Sequence, residues 1–308
     1  MNSPSLPLIS IPNTRTRCPY VSSSLYFPPT HSPLRSQAQT DEYIYHEALV
    51  HAPLLMHPNP QRVMVMGGGE GATLREMLTH HSVVQATMAE LDGDVVQLCK
   101  DYMPTWSAGA YDNPRSRLVV GNGIDFIHKK AQDGEFDVIL MDTLDPIDGI
   151  LSFGLFNIPF YKTMRQKLSD TGILVIQGGQ LDEDEEAGIY YFAKMVHDLK
   201  SLFPFVTYYT KYVRSFDGFW GFMVACKVER CGDSPVVNPD AAPSLIDKLV
   251  AERIDKEHAL RSFDGESNRG QFSVARQTRE AISALDFSVG GNAHKAPKHL
   301  KPDEQKWA

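Results

Sequence analysis

Short apolar runs alternate with amphipathic stretches between residues 61 and 225, and this alternation is typical of βαβ units. The first run, RVMVM at 62–66, precedes a glycine-rich loop and a stretch with helical period. The pattern predicts strands at 62–66, 86–90, 118–120, 136–141 and 173–177, and helices at 72–80, 94–102, 124–131, 159–168 and 185–202. The expected fold class is therefore α/β, with a Rossmann-like doubly wound sheet.

Two further apolar runs, at 205–213 and 220–225, predict an antiparallel finish to the sheet, joined by a turn at Asp217 and Gly218. Beyond Cys231 the chain becomes rich in Pro and Asp, then predicts one helix at 244–258 and a frayed tail after Val289. We therefore place a Rossmann-like catalytic domain at 61–230 and a carboxy-terminal extension at 231–308.

The first forty residues contain no Asp or Glu but carry Arg15, Arg17 and Arg35 among many serines, threonines and prolines. Such a composition is typical of an organelle transit peptide, although the prolines oppose the amphipathic helix that transit peptides form. For residues 1–35 we expect disorder or a divergent leader, with organelle targeting and a small β element as alternatives.

Charge and cysteine content narrow the function classes. Thirty basic against thirty-eight acidic residues give a net charge of -8, which disfavours nucleic acid and anionic membrane surfaces as partners. No apolar run approaches the ~18 residues that a membrane span needs. The four cysteines, Cys18, Cys99, Cys226 and Cys231, lack CxxC or zinc-site spacing. We expect reduced thiols, no metal and a cytoplasmic location.

The loop Gly67–Gly68–Gly69–Glu70–Gly71 follows the first strand directly and opens a helix, so a ligand can approach the backbone closely there. Glu90 ends the second strand about twenty residues later, where an acid can accept hydrogen bonds from both hydroxyls of an adenosine ribose. Glu70 within the loop would repel a pyrophosphate. The pair therefore predicts a cationic adenosine compound as ligand, rather than a nicotinamide dinucleotide.

The fourth strand ends in the sequence MDTLDP, which brings Asp142 and Asp145 to the same edge of the sheet as the glycine loop. Pro146 fixes its own φ and keeps Asp145 extended, so the loop is expected to be rigid. Neighbouring, partly buried acids raise each other's pKa. This arrangement suits a base that takes a proton from an amine.

Five motifs, taken in this order, resemble those of the polyamine aminopropyltransferases, which comprise the spermidine, spermine and thermospermine synthases. They are DEYIYHE at 41–47, GGGEGATLREML at 67–78, AELDGDVV at 89–96, YDNPR at 111–115 and DTLDP at 142–146. The resemblance runs from about Ser36 to Leu285.

The resemblance implies the fold of the S-adenosylmethionine-dependent methyltransferases and a transferase with no permanently bound cofactor and no metal. The aminopropyl group of decarboxylated S-adenosylmethionine, the co-substrate, would pass to a polyamine and leave methylthioadenosine. A homodimer is implied as well. Residues 36–60 correspond to a gate segment and the remnant of an amino-terminal β domain that is otherwise reduced or missing.

The resemblance also implies roles for individual residues. Asp142 is the expected catalytic base, and Asn122 stands where the family carries an acid that binds the adenine. The residues implied for the nucleoside are Gly67, Gly68, Gly69, Glu70, Glu90, Asn122, Gly123 and Gln37. Those implied for the polyamine are Tyr45, His46, Glu70, Asp142, Asp145, Tyr209 and Trp220. Because both substrates are cations, Glu70, Asp142 and Asp145 would supply counter-charge and repel a co-substrate that retains its carboxylate.

The product is expected to be thermospermine, then spermine, then spermidine, because Phe216 stands where spermidine synthases tend to have Tyr. A groove without that hydroxyl is better suited to a longer methylene chain. Two alternatives stay open. One is a methyltransferase that uses intact S-adenosylmethionine. The other is a non-catalytic protein that binds nucleosides or polyamines.

Overall fold

The computed structural model describes residues 39–144, 154–181 and 186–285. Seven strands lie within these ranges, namely β1 (Arg62–Gly67), β2 (Gln85–Glu90), β3 (Ser116–Val120), β4 (Phe136–Asp142), β5 (Leu168–Gln180), β6 (Phe205–Val213) and β7 (Gly218–Cys226). The helices in the same ranges are α1 (Glu42–Met56), α2 (Ala72–Leu78), α3 (Gly93–Tyr102), α4 (Pro104–Ser107), α5 (Gly123–Lys129), α6 (Ile158–Lys167), α7 (Glu186–Lys200), α8 (Pro243–Arg253), α9 (Gly265–Phe272) and α10 (Arg276–Ala284).

The strands form one sheet in the order β3-β2-β1-β4-β5-β7-β6. The first five strands pair in parallel, whereas β7 runs antiparallel to both β5 and β6. This topology confirms the predicted doubly wound α/β sheet and its antiparallel finish. Asp217 adopts a left-handed conformation with φ of 52° in the turn between β6 and β7. The order reverses between β1 and β4, and in such sheets ligands bind at that position, beyond the carboxyl ends of the strands.

Helix α1 covers most of residues 36–60, the segment that the resemblance relates to a gate and to the remnant of an amino-terminal domain. It is buried nearly all round and packs against α2 and the sheet within the same hydrophobic core as β1 and β7. A helix that is buried on all faces shows no amphipathic stripe, so its sequence gives little helical signal. Its buried polar side chains, which include Glu42, His46, Glu47 and His51, find their partners on other elements.

The carboxy-terminal part of the chain packs on the same core. Ile246 of α8 and Phe263 join the cluster around α1. Glu47 of α1 accepts hydrogen bonds from the backbone N–H groups of Arg261, Ser262 and Phe263 at 2.7 to 2.8 Å. The extension is therefore held to α1 and the Rossmann-like core by both apolar burial and a buried carboxylate.

Two predictions for this region are corrected. The helix predicted at 244–258 ends at Arg253, because Ile254 forms a β-bridge with His80 and the chain then turns. Helices α9 and α10 were not predicted, since α9 is short and mostly polar. The leader at 1–35 and the tail after Val289 lie outside the described residues. Among the described helices, none combines the length and the hydropathy of a membrane span.

Candidate active site

The candidate site lies at the carboxyl edge of the parallel strands. Gly67 at the end of β1 is in register with Asp142 at the end of β4, so the glycine loop and the acid are neighbours. One side-chain nitrogen or oxygen atom from each of three residues, His46, Glu70 and Asp142, lies within 4.8 Å of the other two. Glu90 ends β2 beside the same loop. The predicted convergence of these acids at one sheet edge is what the structure has.

Two glycines allow the loop to approach its neighbours. Gly67 has φ of +86°, and a Cβ there would lie 2.1 Å from the carbonyl oxygen of Asp142. A Cβ on Gly69 would lie 2.9 Å from Oε2 of Glu90. A Cβ on Gly68 would lie 3.2 Å from Asp142 Oδ2. Glycine is thus required where the backbone passes the main chain of Asp142 and the carboxylate of Glu90.

Asp142 is held by two hydroxyl groups. Tyr45 donates to Oδ1 and Thr73 donates to Oδ2, each at 2.6 Å. Burial and the nearby charge of Glu70 raise the pKa of Asp142, although His46 and the two hydroxyls oppose this shift. Each carboxylate oxygen still has a lone pair for a further donor. Asp142 is therefore a fixed carboxylate with raised proton affinity, as a general base requires.

His46 lies between two carboxylates. Its Nδ1 is 2.9 Å from Oε2 of Glu42, and its Nε2 is 3.1 Å from Oε1 of Glu70. Burial lowers the pKa of His46, but the hydrogen bonds and charges of the two acids outweigh burial and raise it to about 10. The ring is an imidazolium with both protons engaged, so it has no lone pair for a metal ion.

Glu90 is a buried acid, and its hydrogen bonds do not offset the effect of burial on its pKa. Its Oε1 accepts a hydrogen bond from the backbone N–H of Asp92 at 3.0 Å. Burial, reinforced by the charge of Glu70, raises the pKa of Glu90 to about 7. Tyr111 fixes the facing loop by donating to the carbonyl oxygen of Gly69 at 2.6 Å. A ribose that donates two hydroxyls would supply the hydrogen bonds that favour the charged form.

An aromatic wall adjoins Asp142, and we define it as Tyr45, Phe216, Trp220 and Phe222. The ring centroids of Phe216 and Trp220 are 4.5 Å apart, and that of Tyr45 is 5.8 Å from Phe216. Trp220 Nε1 donates to Oε1 of Gln177 at 2.9 Å, which fixes the indole. Trp220 lies 6.5 Å from Tyr45 between ring centroids, and the four rings of the wall are between 0% and 8% exposed. The role of Trp220 in polyamine binding stays a prediction.

Tyr209 requires a correction. It was expected to contact the polyamine, but it is 0% exposed and stacks on Phe222 in the core. Its hydroxyl donates to the carbonyl oxygen of Ala48 at 2.7 Å, so the polar group is already satisfied. The structure assigns Tyr209 to packing between β6 and α1.

The side chain of Asn122 caps the helix that follows it. Its side-chain oxygen accepts from the backbone N–H groups of Ile124 and Asp125 and caps α5, whose first residue is Gly123. The amide oxygen expected to meet the adenine therefore already has two donors. Asp125 is exposed and pairs with Lys129, in agreement with a solvent-facing position.

Gln37 and Asp145 lie outside the described residues. Gln39, the neighbouring alternative to Gln37, is exposed and donates to Thr105. Three residues of the site were not predicted, namely Glu42, Thr73 and Gln177. Glu42 stands four residues before His46 in the DEYIYHE motif, and this spacing places both on one helical face. Thr73 lies in the GGGEGATLREML motif, just after the glycine loop, whereas Gln177 belongs to none of the five motifs.

Known proteins share this sequence pattern and fold. The family model of the spermine/spermidine synthase domain matches residues 42–233. A polyamine aminopropyltransferase of Sulfurisphaera tokodaii is 37% identical over 244 residues, which cover 79% of this chain and 75% of that protein. Polyamine aminopropyltransferase 1 of Hyperthermus butylicus is 40% identical over 201 residues, which cover 65% of this chain and 68% of that protein.

The solved structures agree with the sequence relatives. A crystal structure of spermidine synthase in complex with the transition state analogue AdoDATO has a TM-score of 0.69 and 28% identity, and covers 82% of this chain and 79% of that chain. The Rossmann-like sheet is of the type found in S-adenosylmethionine-dependent methyltransferases, and the relatives that match this chain are transferases. This chain belongs to the spermine/spermidine synthase family, whose members are polyamine aminopropyltransferases.

Proposed function

We propose that the protein transfers the aminopropyl group of decarboxylated S-adenosylmethionine to an amine of a polyamine and releases methylthioadenosine. The observation that carries this proposal is the excess of carboxylates at one sheet edge, where Glu70, Glu90 and Asp142 are accompanied by the single imidazolium of His46. Such a site is short of positive charge. Both substrates are cations and would supply it.

The nucleoside half of the co-substrate would bind at the glycine loop. Glu90 would accept the ribose hydroxyls, since its carboxylate lies against Gly69 at the end of β2. Glu70 would then face the sulfonium and the propylammonium tail. An intact methionine tail adds a carboxylate at this place, and like charges there oppose binding.

In the reaction, a neutral amine nitrogen attacks the carbon next to the sulfonium. A C–N bond forms, the C–S bond breaks and its electron pair neutralises the sulfur as methylthioadenosine. The proton lost from the amine passes to Asp142, whose raised pKa suits this transfer. Tyr45 and Thr73 keep the carboxylate oriented by their hydrogen bonds.

For the acceptor, synthesis of thermospermine or spermine from spermidine is favoured over synthesis of spermidine. The aromatic wall supports this proposal, because its Phe216 carries no hydroxyl group and its rings, each 8% exposed or less, stand next to Tyr45 and the catalytic carboxylate. A longer acceptor can pack more methylene groups against such a wall. Incubation with spermidine and chromatographic separation of spermine from thermospermine would identify the product. Turnover of putrescine alone would contradict the preference.

Competition titrations against methylthioadenosine would test the co-substrate. We expect the decarboxylated form to bind at least ~2 kcal/mol tighter than intact S-adenosylmethionine, because the latter brings a carboxylate beside Glu70 and Asp142. The difference should shrink in Glu70→Gln and persist in Asp125→Asn, which alters an exposed acid of α5. Equal affinities in the unaltered protein would refute the aminopropyl transfer and favour a methyltransferase.

A further inference from the structure

A chain of buried ionic side chains leads away from the candidate site along α1 and α2. It begins at Glu70, passes through His46 to Glu42, and continues to Arg75, whose Nη2 is 3.0 Å from Oε2 of Glu42. Arg75 also donates from Nε to Oε1 of Glu76 at 2.8 Å. Only Glu70 and His46 of this chain were expected to contact substrate.

The position of Glu42 determines the protonation of His46. An imidazole that meets a carboxylate at both nitrogens satisfies both contacts only as the imidazolium, since a neutral ring carries one proton. Glu42 must itself stay ionised for this arrangement. Burial raises its pKa, but the hydrogen bonds and charges of His46 and Arg75 outweigh burial and lower it.

We propose that Glu42 is a positioning residue of the aminopropyl transfer, acting through His46: it keeps the ring doubly protonated, so that Nε2–H remains on Glu70 and fixes that carboxylate toward the substrate cation. The inference rests on the proposed function for its catalytic part. Glu42 is separated from the substrate by the histidine. Arg75 stands behind it and balances its charge.

Without the charge of Glu42, the ring faces a different set of groups. Glu70 of the glycine loop and Asp142 of β4 still favour the imidazolium, whereas Arg75 of α2 loses one of its two carboxylate partners and opposes it. Burial of the ring also opposes the charge. The neutral ring has two tautomers, and only the one protonated at Nε2 donates to Glu70. Its orientation would then depend on pH.

The first test follows the His46 ring by NMR of protein with ¹⁵N-labelled histidine. In the unaltered protein we expect no titration of this ring below about pH 9. In Glu42→Gln the midpoint should fall into the range between about pH 6 and pH 8. Glu42→Asp retains the charge and should keep the ring protonated. Glu47→Gln is the matched control, since it neutralises an equally buried carboxylate of α1 that does not contact His46.

The second test uses the rate of aminopropyl transfer. The kcat of Glu42→Gln relative to the unaltered protein should be near one at about pH 6 and fall roughly tenfold by about pH 9, as the ring loses its proton. In a His46→Gln background, Glu42→Gln should add nothing, because its effect passes through the ring.

The outcomes separate the inference from the proposed function. A His46 ring that keeps its high midpoint in Glu42→Gln would overturn the positioning role, as would an additive effect in the double variant. A shifted midpoint in a protein without aminopropyl transfer would refute the proposed function and leave the ionic contact established. A shifted midpoint with unchanged relative kcat across the pH range would overturn the catalytic part of the inference.

Discussion

Two groups of titratable side chains flank α1, and they differ in how well their charges are balanced. The first is the candidate site, with Glu70, Glu90, Asp142 and His46. The second, the Glu76 cluster, consists of Arg75, Glu76, His51, His80 and His258. Glu76 is 1% exposed and has several partners, since His258 and His51 approach one of its oxygens at 2.9 and 3.1 Å and Arg75 donates to the other.

The direction of each pKa shift depends on whether hydrogen bonds and positive charges offset the burial of the carboxylate. Burial raises the pKa of Glu76, but the hydrogen bonds of His258 and His51 and the charge of Arg75 hold it well below the usual range. Burial raises the pKa of Asp142 and of Glu90, and their partners do not compensate. Buried and partly buried carboxylates thus serve different purposes. Both oxygens of Glu76 have donors, so this carboxylate stabilises the fold, whereas the site retains unmatched negative charge for a cationic ligand.

The largest effect is expected from Asp142→Asn. The substitution removes the proton acceptor but keeps its shape, so kcat for methylthioadenosine release should fall by a factor on the order of 10² to 10⁴. The thermal midpoint should change little, because the carboxyl group already has a raised pKa and its neutral form is tolerated. Asp125→Asn serves as the control. Retention of more than half of the rate would remove Asp142 from the mechanism.

Glu76→Gln should have the opposite effects, namely a large loss of stability and a small loss of kcat. It removes the anion that Arg75, His51 and His258 contact, and the loss of one partner from a buried ion pair costs about 3 to 5 kcal/mol. Urea unfolding would measure this loss in the free energy of unfolding. Since Glu76 does not contact the candidate site, kcat of the folded fraction should fall far less than in Asp142→Asn. An unchanged unfolding midpoint would show that the cluster does not stabilise the fold.

A smaller effect concerns the pH dependence of stability. The pKa of Glu90 is raised to about 7 from a reference of 4.5. The protonated group is therefore favoured in the folded state, and its contribution is full below pH 4.5 and lost as pH rises through about 7. Glu90→Gln should abolish this decline and gain roughly 1 to 3 kcal/mol over the unaltered chain between about pH 5 and pH 8. Parallel stability curves for the two proteins would contradict the shift.

The sheet could be predicted because its parallel strands are continuous apolar runs, each followed by a helical segment. The encounter of Glu70 with Asp142 was predictable for a related reason, since residues that end neighbouring parallel strands share an edge. The packing of helix α1 was not predictable, because its buried polar side chains have partners that are distant in the sequence. His46 bonds a residue 24 positions away, and His51 bonds one 29 positions away.

The remaining contacts were not predicted because they depend on the direction in which each side chain points. Tyr209 and Trp220 both lie on the antiparallel strands. The sequence alone did not show that the hydroxyl of Tyr209 donates to the backbone of α1, whereas the indole of Trp220 donates to Gln177 at the border of the site. Thr73 likewise becomes a hydrogen-bond donor to Asp142 only through the register of β1 with β4. Such contacts depend on tertiary geometry, which local patterns do not encode.

The three hydrogen bonds that Glu47 accepts from residues 261–263 also bear on how the chain can be divided. The family match ends at Asp233, but a chain cut there would leave Glu47 buried without donors and uncover the part of α1 that Ile246 and Phe263 protect. The shortest piece able to fold independently must therefore extend past Phe263. Recognisable motifs and the autonomous folding unit have different boundaries in this protein.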